Sequence, residues 1–566
     1  MGFLKLKSYI FLFCATLLLS CAHSDLSEEG TVGEKAMVVT AHPLASQVGV
    51  EILKTGGNAF DAAIAVEFAL AVVYPDAGNI GGGGFWVIRT KDGETNALDY
   101  REVAPAAASR DMFLDEEGEP ISEESHRGHL SAGVPGTVDG MVNAHRKYGS
   151  KPWEELLQPA IDLALHGFPL TKKEAKKLNR YMDDLEEYST VRPEHMLNDR
   201  WRAGDTLVLE ELGMTLALIR NYGRAGFYEG VTARNLIAEM ERGGGIISLE
   251  DLDSYRSVWR KPVAGKYKDC KIISMPPPSA GGTGLLQLLK ITEGYPLAKW
   301  GWNSTQSIHL MTEACRRVYA DRSRHLGDPD FWDIPLDGLI DDDYLKGRMA
   351  DFSMGQATDS DEVYAGEPFF AESHSTTHYS IVDPEGNAVA GTTTLNSIYG
   401  SRVVVAGSGF LLNNQMADFS LKPGHPDIYG LVEGEANAIA PGKRMLSSMT
   451  PTIVEKDNQL FMVLGSPGGS TIITTVYQTI LNVTTFDFPM QGAVNAERFH
   501  HQWRPNWILA EWGSMRFSSV FELLAKGHRI APAIEGLGRV DAVLVRPDNT
   551  LEGGADPRGD DKAEGF

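Results

Sequence analysis

The sequence predicts a mixed α/β protein whose second half, beginning at Thr376, is rich in strands. Three observations lead to this fold class. In the first part of the chain, segments with apolar residues at helical spacing end at glycines. Two β-rich runs surround the turn sequence "DPEG", and two later strand-like runs lead through Gly-Gly into a helix-like run. With 566 residues and 43% hydrophobic content, the chain is long enough for a large core.

The first predicted elements are helices. "PLASQVGVEILKTGG" has apolar residues at helical spacing and stops at Gly56 and Gly57, which suits a helix C-cap. "NAFDAAIAVEFALAVVYP" is apolar on most faces, so we expect a buried helix. "GNIGGGGFWVIRT" is a glycine-rich turn that leads into a strand. It lacks the spacings of phosphate-binding loops, and no nucleotide site is predicted.

The next elements run up to the strand-rich half. "ALDYREVAP" predicts a strand that ends at Pro105, and two helices follow that end at Gly149 and Gly167. From Leu178 to Asp342 the chain is expected to be mostly helical and charged. "SMPPPSAGG" interrupts it, because three successive prolines suit neither a helix nor a central strand. The polar stretch from Asp351 to Ser375 has no periodicity and is predicted to be mobile.

The net charge and the positions of histidine and cysteine argue against nucleic acid, metal ions and cofactors as ligands. A formal net charge of −24 argues against nucleic acid, whose phosphates require a basic surface. An anionic substrate would need a cationic anchor in its own site. His500 and His501 are adjacent, but no carboxylate or further histidine stands at metal-ligand spacing, so we predict no metal and no cofactor. Cys270 and Cys315 predict either one disulfide or two separate buried thiols.

The N-terminus, "MGFLKLKSYIFLFCATLLLSCAHSD", has the pattern of a signal peptide over residues 1–21. Lys5 and Lys7 precede an apolar run that is too short to span a bilayer. The run ends in "LLSC", which resembles the bacterial lipobox and predicts lipidation of Cys21. Ordinary signal cleavage nearby is the alternative. We expect an exported bacterial protein, either periplasmic or anchored to a membrane as a lipoprotein.

The stretch "ESHSTTHYSIVDPEGNAVAGTTTLN" crowds hydroxyl groups where a polar segment meets a strand. By composition alone it is an ordinary loop-to-strand boundary, where Ser and Thr are common. The alternative reading is chemical. A Thr hydroxyl becomes a nucleophile when a base lies beside it, and the α-amine of an N-terminal Thr, with a pKa of about 8, supplies one. Cutting the Ser375–Thr376 bond would create that arrangement.

A second chemical signal is "GSPGGSTIITTV". It ends a strand, turns at Gly468 and Gly469 and begins a helix. The two backbone N–H groups and the helix N-terminus offer an oxyanion hole. A tight turn that only requires glycine is the alternative.

Nine motifs together carry a family resemblance. "TTHYSIVDPEGNAVAGTTTLN", "GFLLNNQMADFS", "KRMLSSMTPTIV", "GSPGGSTIITT" and "ERFHHQW" resemble the γ-glutamyltransferase (γ-glutamyltranspeptidase) family of N-terminal-nucleophile hydrolases. "GGNAFDAAIA", "GGGGFWVI", "DYREVAP" and "MPPPSAGG" extend the resemblance, which runs from about Ala36 to Arg558. It implies a precursor that cleaves itself at Ser375–Thr376 into a large subunit, residues 22–375, and a small catalytic subunit, residues 376–566. The two subunits form a heterodimer and jointly build a four-layer αββα sandwich.

The resemblance also implies roles for single residues. Thr376 is the nucleophile, and Thr394 supports it by hydrogen bonding. Gly468 and Gly469 form the oxyanion hole, and Tyr429 is the tip of a lid loop.

A γ-glutamyl group carries an α-carboxylate and an α-ammonium, and the resemblance implies a partner set for each charge. A guanidinium and hydroxyl groups suit the carboxylate; the matching residues are Arg101, Ser447 and Ser448. A carboxylate and carbonyl oxygens suit the ammonium; the matching residues are Asn396, Gln415 and Asp418. Many relatives have two Asp before "FS", whereas Ala417 precedes Asp418 here. This departure puts substrate preference in question rather than the core chemistry.

The implied reaction is a two-step acyl transfer. Thr376 takes the γ-glutamyl group of glutathione, or of another γ-glutamyl amide, as an ester. It then passes the group to an amino acid, a dipeptide or water. One rival prediction is a related acylase that acts on β-lactam side chains with the same nucleophile. The other is a non-catalytic envelope lipoprotein that binds peptides and would remain one band on a denaturing gel.

Overall fold

Two seven-stranded antiparallel sheets lie face to face at the centre of the protein, and helices cover their outer faces. The computed structural model describes residues 25–363, 374–425, 431–534 and 536–566. Its layers have the order helix, sheet, sheet, helix. This confirms the four-layer αββα sandwich that the resemblance implied.

The first sheet contains the hairpin that begins near Thr376. From one edge to the other, its strands are Lys562–Gly565, Met37–Thr40, His374–Val382, Ala388–Ser397, Gly83–Arg89, Thr95–Asp99 and Val258–Arg260. Alternate side chains along a strand point to opposite faces. Trp86 and Tyr379 therefore belong to the core under the helices, whereas Phe85 and Val382 belong to the core shared with the second sheet.

The second sheet is built from both halves of the chain in the same way. Its strands, in order, are Thr31–Gly33, Leu551–Ala555, Asp541–Val545, Gln459–Gly465, Thr452–Lys456, Cys270–Ser274 and Val263–Tyr267. Two small sheets lie outside the sandwich and consist of Phe499–His500, Ile508–Ala510 and Ile530–Pro532, and of Phe168–Pro169 and Thr206–Leu207.

Helices of the N-terminal part cover the first sheet, and later helices cover the second. The first group includes Pro43–Lys54, Ala59–Val73, Thr137–Tyr148 and Trp153–His166. The second includes Gly281–Glu293, Thr305–His325, Ile472–Phe486 and Met490–Asn495. The remaining α-helices are Ser122–His126, Lys172–Tyr188, Glu210–Tyr222, Ala225–Tyr228, Gly230–Gly243, Leu249–Ser254, Leu297–Trp300, Leu336–Leu339, Asp342–Arg348 and Phe517–Ala525.

The helix Ala59–Val73 shows how the sequence specifies these elements. Asn58 accepts a hydrogen bond from the Asp61 amide while Asp61 bonds back to the Asn58 amide, a capping box that fixes the start. All fifteen residues are buried, as expected for a helix that is apolar on most faces. The predicted helix Pro43–Lys54 is likewise confirmed, and Gly56 adopts a φ of 91° just beyond it.

The prediction that Leu178–Asp342 is mostly helical is confirmed, but it left out four strands in this range: Thr206–Leu207, Val258–Arg260, Val263–Tyr267 and Cys270–Ser274. Short strands with Lys or Arg on one face carry a weak period-2 signal, and their pairing partners are remote in the sequence. In the polar stretch from Asp351, the part up to residue 363 is anchored: buried Ser360 donates to the Trp503 carbonyl at 2.6 Å.

Cys270 and Cys315 are both buried and form no disulfide with each other. Of the two predicted alternatives, the structure therefore has two separate buried thiols. Within the described ranges, no helix is both long and apolar enough to cross a membrane. The predicted signal peptide and Cys21 lie outside the described residues.

Candidate active site

A cleft opens where the two central strands of the first sheet meet loops of the second half. The space between its walls is about 380 Å³, part of it open to solvent. The lining residues are Arg101, Arg322, Thr376, Thr394, Asn396, Gln415, Asp418, Leu431, Glu433, Leu446, Ser447, Ser448, Met449, Gly469, Ser470 and Ile472. The cleft therefore brings together most of the predicted site residues, from segments that are hundreds of positions apart.

Thr376 and Thr394 face each other across the hairpin. They are register partners in the antiparallel pair, and their Oγ1 atoms are 3.4 Å apart. Thr394 Oγ1 also accepts a hydrogen bond from the Asn396 amide at 2.8 Å. Both Thr side chains are buried. Thr394 is thus held within hydrogen-bond distance of the Thr376 hydroxyl.

The strand geometry distinguishes Thr376 from its neighbour Thr377. Successive side chains of a strand point to opposite faces, and Thr376 lines the cleft whereas Thr377 does not. The pairing register shifts between Ser375 and Thr376, which is a bulge at the predicted cleavage bond. The side chain of Ser375 is not among those described.

Arg101 and Asp418 form a buried ion pair in the cleft wall. Arg101 Nη2 and Asp418 Oδ2 are 2.5 Å apart, and the guanidinium also donates to the carbonyls of Met445 and Leu446. Burial raises the pKa of Asp418 to about 6, although Arg101 opposes the shift. Glu102 lies beside the pair, and burial raises its pKa to about 8. Arg101 therefore lies beside two carboxyl groups whose pKa values are raised by burial.

Several buried polar atoms of the cleft have no hydrogen-bond partner within the described residues. They are both side-chain polar atoms of Gln415, Oδ1 of Asp418 and Nε of Arg322. A buried donor or acceptor without a partner costs about 1–3 kcal/mol. Such atoms, in the wall of a cleft, are suited to receive the polar groups of a ligand.

Ser447 and Ser448 line the same cleft. Ser447 is fixed by its amide, which donates to Pro278 O at 3.0 Å, and by its carbonyl, which accepts from the Ala280 amide at 2.8 Å. The rigid proline segment therefore positions the serine. Ser447 Oγ accepts from the Met449 amide at 3.1 Å, which leaves its hydroxyl hydrogen to donate elsewhere.

Gly468 and Gly469 form the predicted turn between a strand and a helix. Their φ angles are 134° and 53°, values that favour glycine. Neither amide donates to another group in the described part of the chain, and Gly469 lines the cleft. The helix Ile472–Phe486 begins three residues later. Two unused N–H groups at a helix start can stabilise a negative oxygen.

Sequence reasoning missed a second ion pair in the cleft wall. Arg322 Nη1 and Glu433 Oε1 are 2.7 Å apart, and both side chains are buried. Arg322 lies in the part of the chain that was predicted to be mostly helical and charged. Glu433 lies in the predicted lid loop, "KPGHPDIYGLVEGEANA", where the resemblance implies a role only for the residue at the tip. That tip, Tyr429, lies outside the described residues.

The histidines act as hydrogen-bonding groups. His500 contacts Thr474 Oγ1 at 2.7 Å and Gln502 Oε1 at 2.8 Å, as expected for a structural residue. His309, Glu313 and His528 form a cluster that the sequence did not reveal. His309 Nδ1 contacts His528 Nε2 directly at 2.7 Å. The Glu313 carboxylate is neutralised by two arginines of its own helix, so these ligand atoms are already engaged.

Comparisons with known proteins agree on the family. Residues 45–566 match the gamma-glutamyltranspeptidase family. The chain is 46% identical over 545 residues to the glutathione hydrolase proenzyme of Escherichia coli (strain K12), covering 94% of this chain and 92% of that protein. It is similar to the crystal structure of cephalosporin acylase from Bacillus halodurans, with a TM-score of 0.84, 26% identity and coverage of 97% and 98% of the two chains. It is also similar to gamma-glutamyltranspeptidase from Helicobacter pylori, with a TM-score of 0.56, 41% identity and coverage of 61% of this chain and 97% of that one. The chain therefore belongs to the γ-glutamyltranspeptidase family.

Proposed function

We propose that this enzyme hydrolyses glutathione and other γ-glutamyl amides and transfers the γ-glutamyl group to amino acids, dipeptides or water. One observation carries the proposal. A single cleft combines a hydroxyl held by a second hydroxyl, two unused backbone amides, and a buried Arg–Asp pair with unpartnered polar atoms beside it. These groups match the reacting carbonyl, the α-carboxylate and the α-ammonium of a γ-glutamyl group.

The proposed first event is self-cleavage between Ser375 and Thr376. Thr376 Oγ1 attacks the Ser375 carbonyl carbon, the C–N bond breaks and the α-amine of Thr376 is released. Water then hydrolyses the resulting ester. Thr394 assists by orienting the attacking hydroxyl. The bulge at this bond favours the attack, because the backbone there departs from regular strand pairing. The products are residues 22–375 and 376–566.

After cleavage, the free α-amine of Thr376 serves as the base. It takes the hydroxyl proton as Thr376 Oγ1 attacks the γ-carbonyl, and it returns the proton to the leaving amine. A γ-glutamyl ester then joins the substrate to Thr376. An amino acid, a dipeptide or water attacks that ester in the second step and regenerates the hydroxyl. The amides of Gly468 and Gly469 stabilise the oxygen that becomes negative in both steps.

The ion pair orients the γ-glutamyl group. Arg101, together with the hydroxyls of Ser447 and Ser448, binds the α-carboxylate. Asp418 Oδ1 and Gln415 Oε1 accept from the α-ammonium, with Asn396 at the same wall. Because Asp418 Oδ1 is unpartnered while Oδ2 contacts Arg101, both charges of the substrate are bound without separating the pair.

An acylase that removes β-lactam side chains is the second candidate. The similarity to a cephalosporin acylase structure at 26% identity favours it. Arg101 and Asp418 favour the γ-glutamyl substrate, because opposite charges so close together fit an amino-acid zwitterion.

Export and lipid anchoring are proposed separately. The signal pattern over residues 1–21 and the "LLSC" sequence support a lipidated Cys21 in a periplasmic or membrane-anchored protein. Cys21→Ser should then release the protein from the membrane fraction or stall its processing.

The test of the proposed function is maturation and activity in one set of variants. Purified wild-type protein should give two bands on a denaturing gel, and N-terminal sequencing of the small one should begin at Thr376. It should release the chromophore of a γ-glutamyl anilide, faster with a dipeptide acceptor. Thr376→Ala should remain one inactive chain. A small fragment that begins at another residue would exclude Thr376 as the nucleophile.

A further inference from the structure

Two ion pairs line the cleft, and the proposed chemistry uses only one of them. Arg101 and Asp418 bind the charges of the γ-glutamyl group. The second pair joins Arg322, on the helix Thr305–His325, to Glu433. Within the described part of the chain, the charged side chains of the cleft wall are these four. The second pair is therefore available to a charge elsewhere on the substrate.

Arg322 is buried but only partly satisfied. The side chain is 5% exposed, and Nη1 bonds to Glu433. Nε has no partner among the described residues, and Nη2 makes no hydrogen bond to them either. Arg317, one and a half turns earlier on the same helix, has all three of its nitrogens bonded to protein oxygens. Unlike Arg317, Arg322 therefore has one edge of its guanidinium, Nε and Nη2, unpartnered within the described part of the chain.

This unpartnered edge of the Arg322 guanidinium has the geometry that binds a carboxylate. Nε and Nη2 present two parallel N–H groups, the fork that binds both oxygens of a carboxylate. Glu433 holds the opposite side of the guanidinium through Nη1. Glu433 is in turn bonded to Asn437, whose Nδ2 also donates to the Asp418 carbonyl at 2.7 Å. Arg322 is thus fixed relative to the site of the γ-glutamyl group.

The substrates carry a carboxylate that Arg101 does not bind. Glutathione has a second one on its glycine, and an amino acid or peptide acceptor has one at its C-terminus. With a net charge of −24, the protein offers such anions no long-range attraction, so a local cation is needed. We propose that Arg322 is a second carboxylate-binding position, which binds the peptide carboxylate of the leaving group in the first step and that of the acceptor in the second. The inference rests on the proposed function.

The test varies the carboxylate on the substrate and the guanidinium on the enzyme together. Wild type and Arg322→Gln are compared on glutathione and on its glycinamide analogue, in which that carboxylate is an amide. Wild type should prefer glutathione by about 10- to 100-fold in kcat/KM, the value of a hydrogen bond to a charged group. Arg322→Gln should lose that preference, and its kcat/KM should fall far more on glutathione than on a γ-glutamyl anilide.

Arg101→Gln is the matched control, because it should lower kcat/KM on all three substrates. Arg322→Lys should restore only part of the preference, since an ammonium lacks the fork. If Arg322→Gln lowered kcat/KM by the same factor on all three substrates, Arg322 would only stabilise the cleft wall, and the proposal would be overturned.

The substrate comparison in wild type is independent of any variant's folding. If wild type cleaves glutathione and the glycinamide analogue equally well, the carboxylate has no partner and the proposal is wrong. Failure of wild type to cleave the γ-glutamyl anilide would contradict the proposed function itself, and the two failures are therefore distinguishable.

Discussion

At Asp418, one carboxylate oxygen contacts Arg101 while the other is buried without a partner. Under the proposed function, this division lets two opposite charges lie side by side and still bind a zwitterion. Each group neutralises the other in the folded protein, and the unpartnered carboxylate oxygen is left for the ligand. The same neighbourhood contains Glu102, whose raised pKa keeps it protonated near neutral pH and limits the excess of negative charge.

Replacing Arg101 should weaken binding of the γ-glutamyl group more than it slows the bond-breaking steps. Losing one partner of a desolvated charge pair costs about 2–5 kcal/mol, so kcat/KM on a γ-glutamyl anilide should fall about thirty- to several-thousand-fold in Arg101→Ala. Arg101→Lys should recover part of the loss, because lysine keeps the charge but not the fork. The measurement is steady-state kinetics on the anilide and on an analogue without the α-carboxylate.

The analogue provides the control for this prediction. Wild type should strongly prefer the intact substrate, and Arg101→Ala should lose most of that preference while still cleaving itself into two chains. The variant should also unfold more easily, because Asp418 is left buried and unpaired. An unchanged preference in Arg101→Ala would mean that the carboxylate binds elsewhere.

Sequence motifs identified the candidate site residues whose positions depend on the nearest strand or turn. Thr376, Thr394 and the two glycines are local features, since the hairpin and the turn position them within a few residues. The Arg322–Glu433 pair spans 111 positions and depends on how a helix packs against a loop. Neither residue has a distinctive neighbourhood in the sequence, so tertiary packing alone makes them a pair.

At the scale of elements, the helix Ala59–Val73 was predicted from its apolar character, but the buried Glu67 in its middle was not explained. Glu67 is fully buried and accepts a hydrogen bond from Tyr379 Oη at 2.6 Å, in the strand His374–Val382 that contains Thr376. Its other oxygen has no described partner. The strands between Val258 and Ser274 were not predicted, because their apolar and polar residues do not alternate regularly. Pairing with strands distant in the sequence stabilises them as strands.

Glu67 should make the stability of the protein depend on pH. Burial raises its pKa from 4.5 to about 7, so the folded protein retains a proton that the unfolded chain loses above about pH 4.5. The free energy of unfolding should therefore decline as pH rises from about 4.5 to 7 and level off above. Glu67→Gln removes this titration. The difference in free energy of unfolding between the variant and wild type should therefore be about 2 kcal/mol more favourable to the variant at pH 8 than at pH 5.

Urea unfolding at the two pH values measures this difference. Glu116→Gln, at an exposed position, is the matched control and should show no such change between pH 5 and pH 8. If the advantage of Glu67→Gln were the same at both pH values, Glu67 would not be protonated in the folded protein.

At the scale of the whole molecule, cleavage at Ser375–Thr376 would cut a chain whose two parts are interleaved. In the first sheet, Met37–Thr40 lies between Lys562–Gly565 and His374–Val382, and Ala388–Ser397 pairs with Gly83–Arg89. In the second, Thr452–Lys456 pairs with Cys270–Ser274. Both hydrophobic cores likewise contain residues from either side of the bond. Neither product keeps a complete sheet or core by itself.

The two products should therefore stay together after the bond is cut. On size-exclusion chromatography without denaturant, the mature protein should elute as one species at the volume of uncleaved Thr376→Ala. In urea, the fragments should separate only in the same cooperative transition in which tertiary structure is lost, because release of either fragment breaks strand pairs in both sheets. Fluorescence and chromatography along one urea series compare the two events. Release of the 376–566 fragment at urea concentrations that leave the fluorescence of the folded state intact would show that the shared sheets do not hold the subunits together.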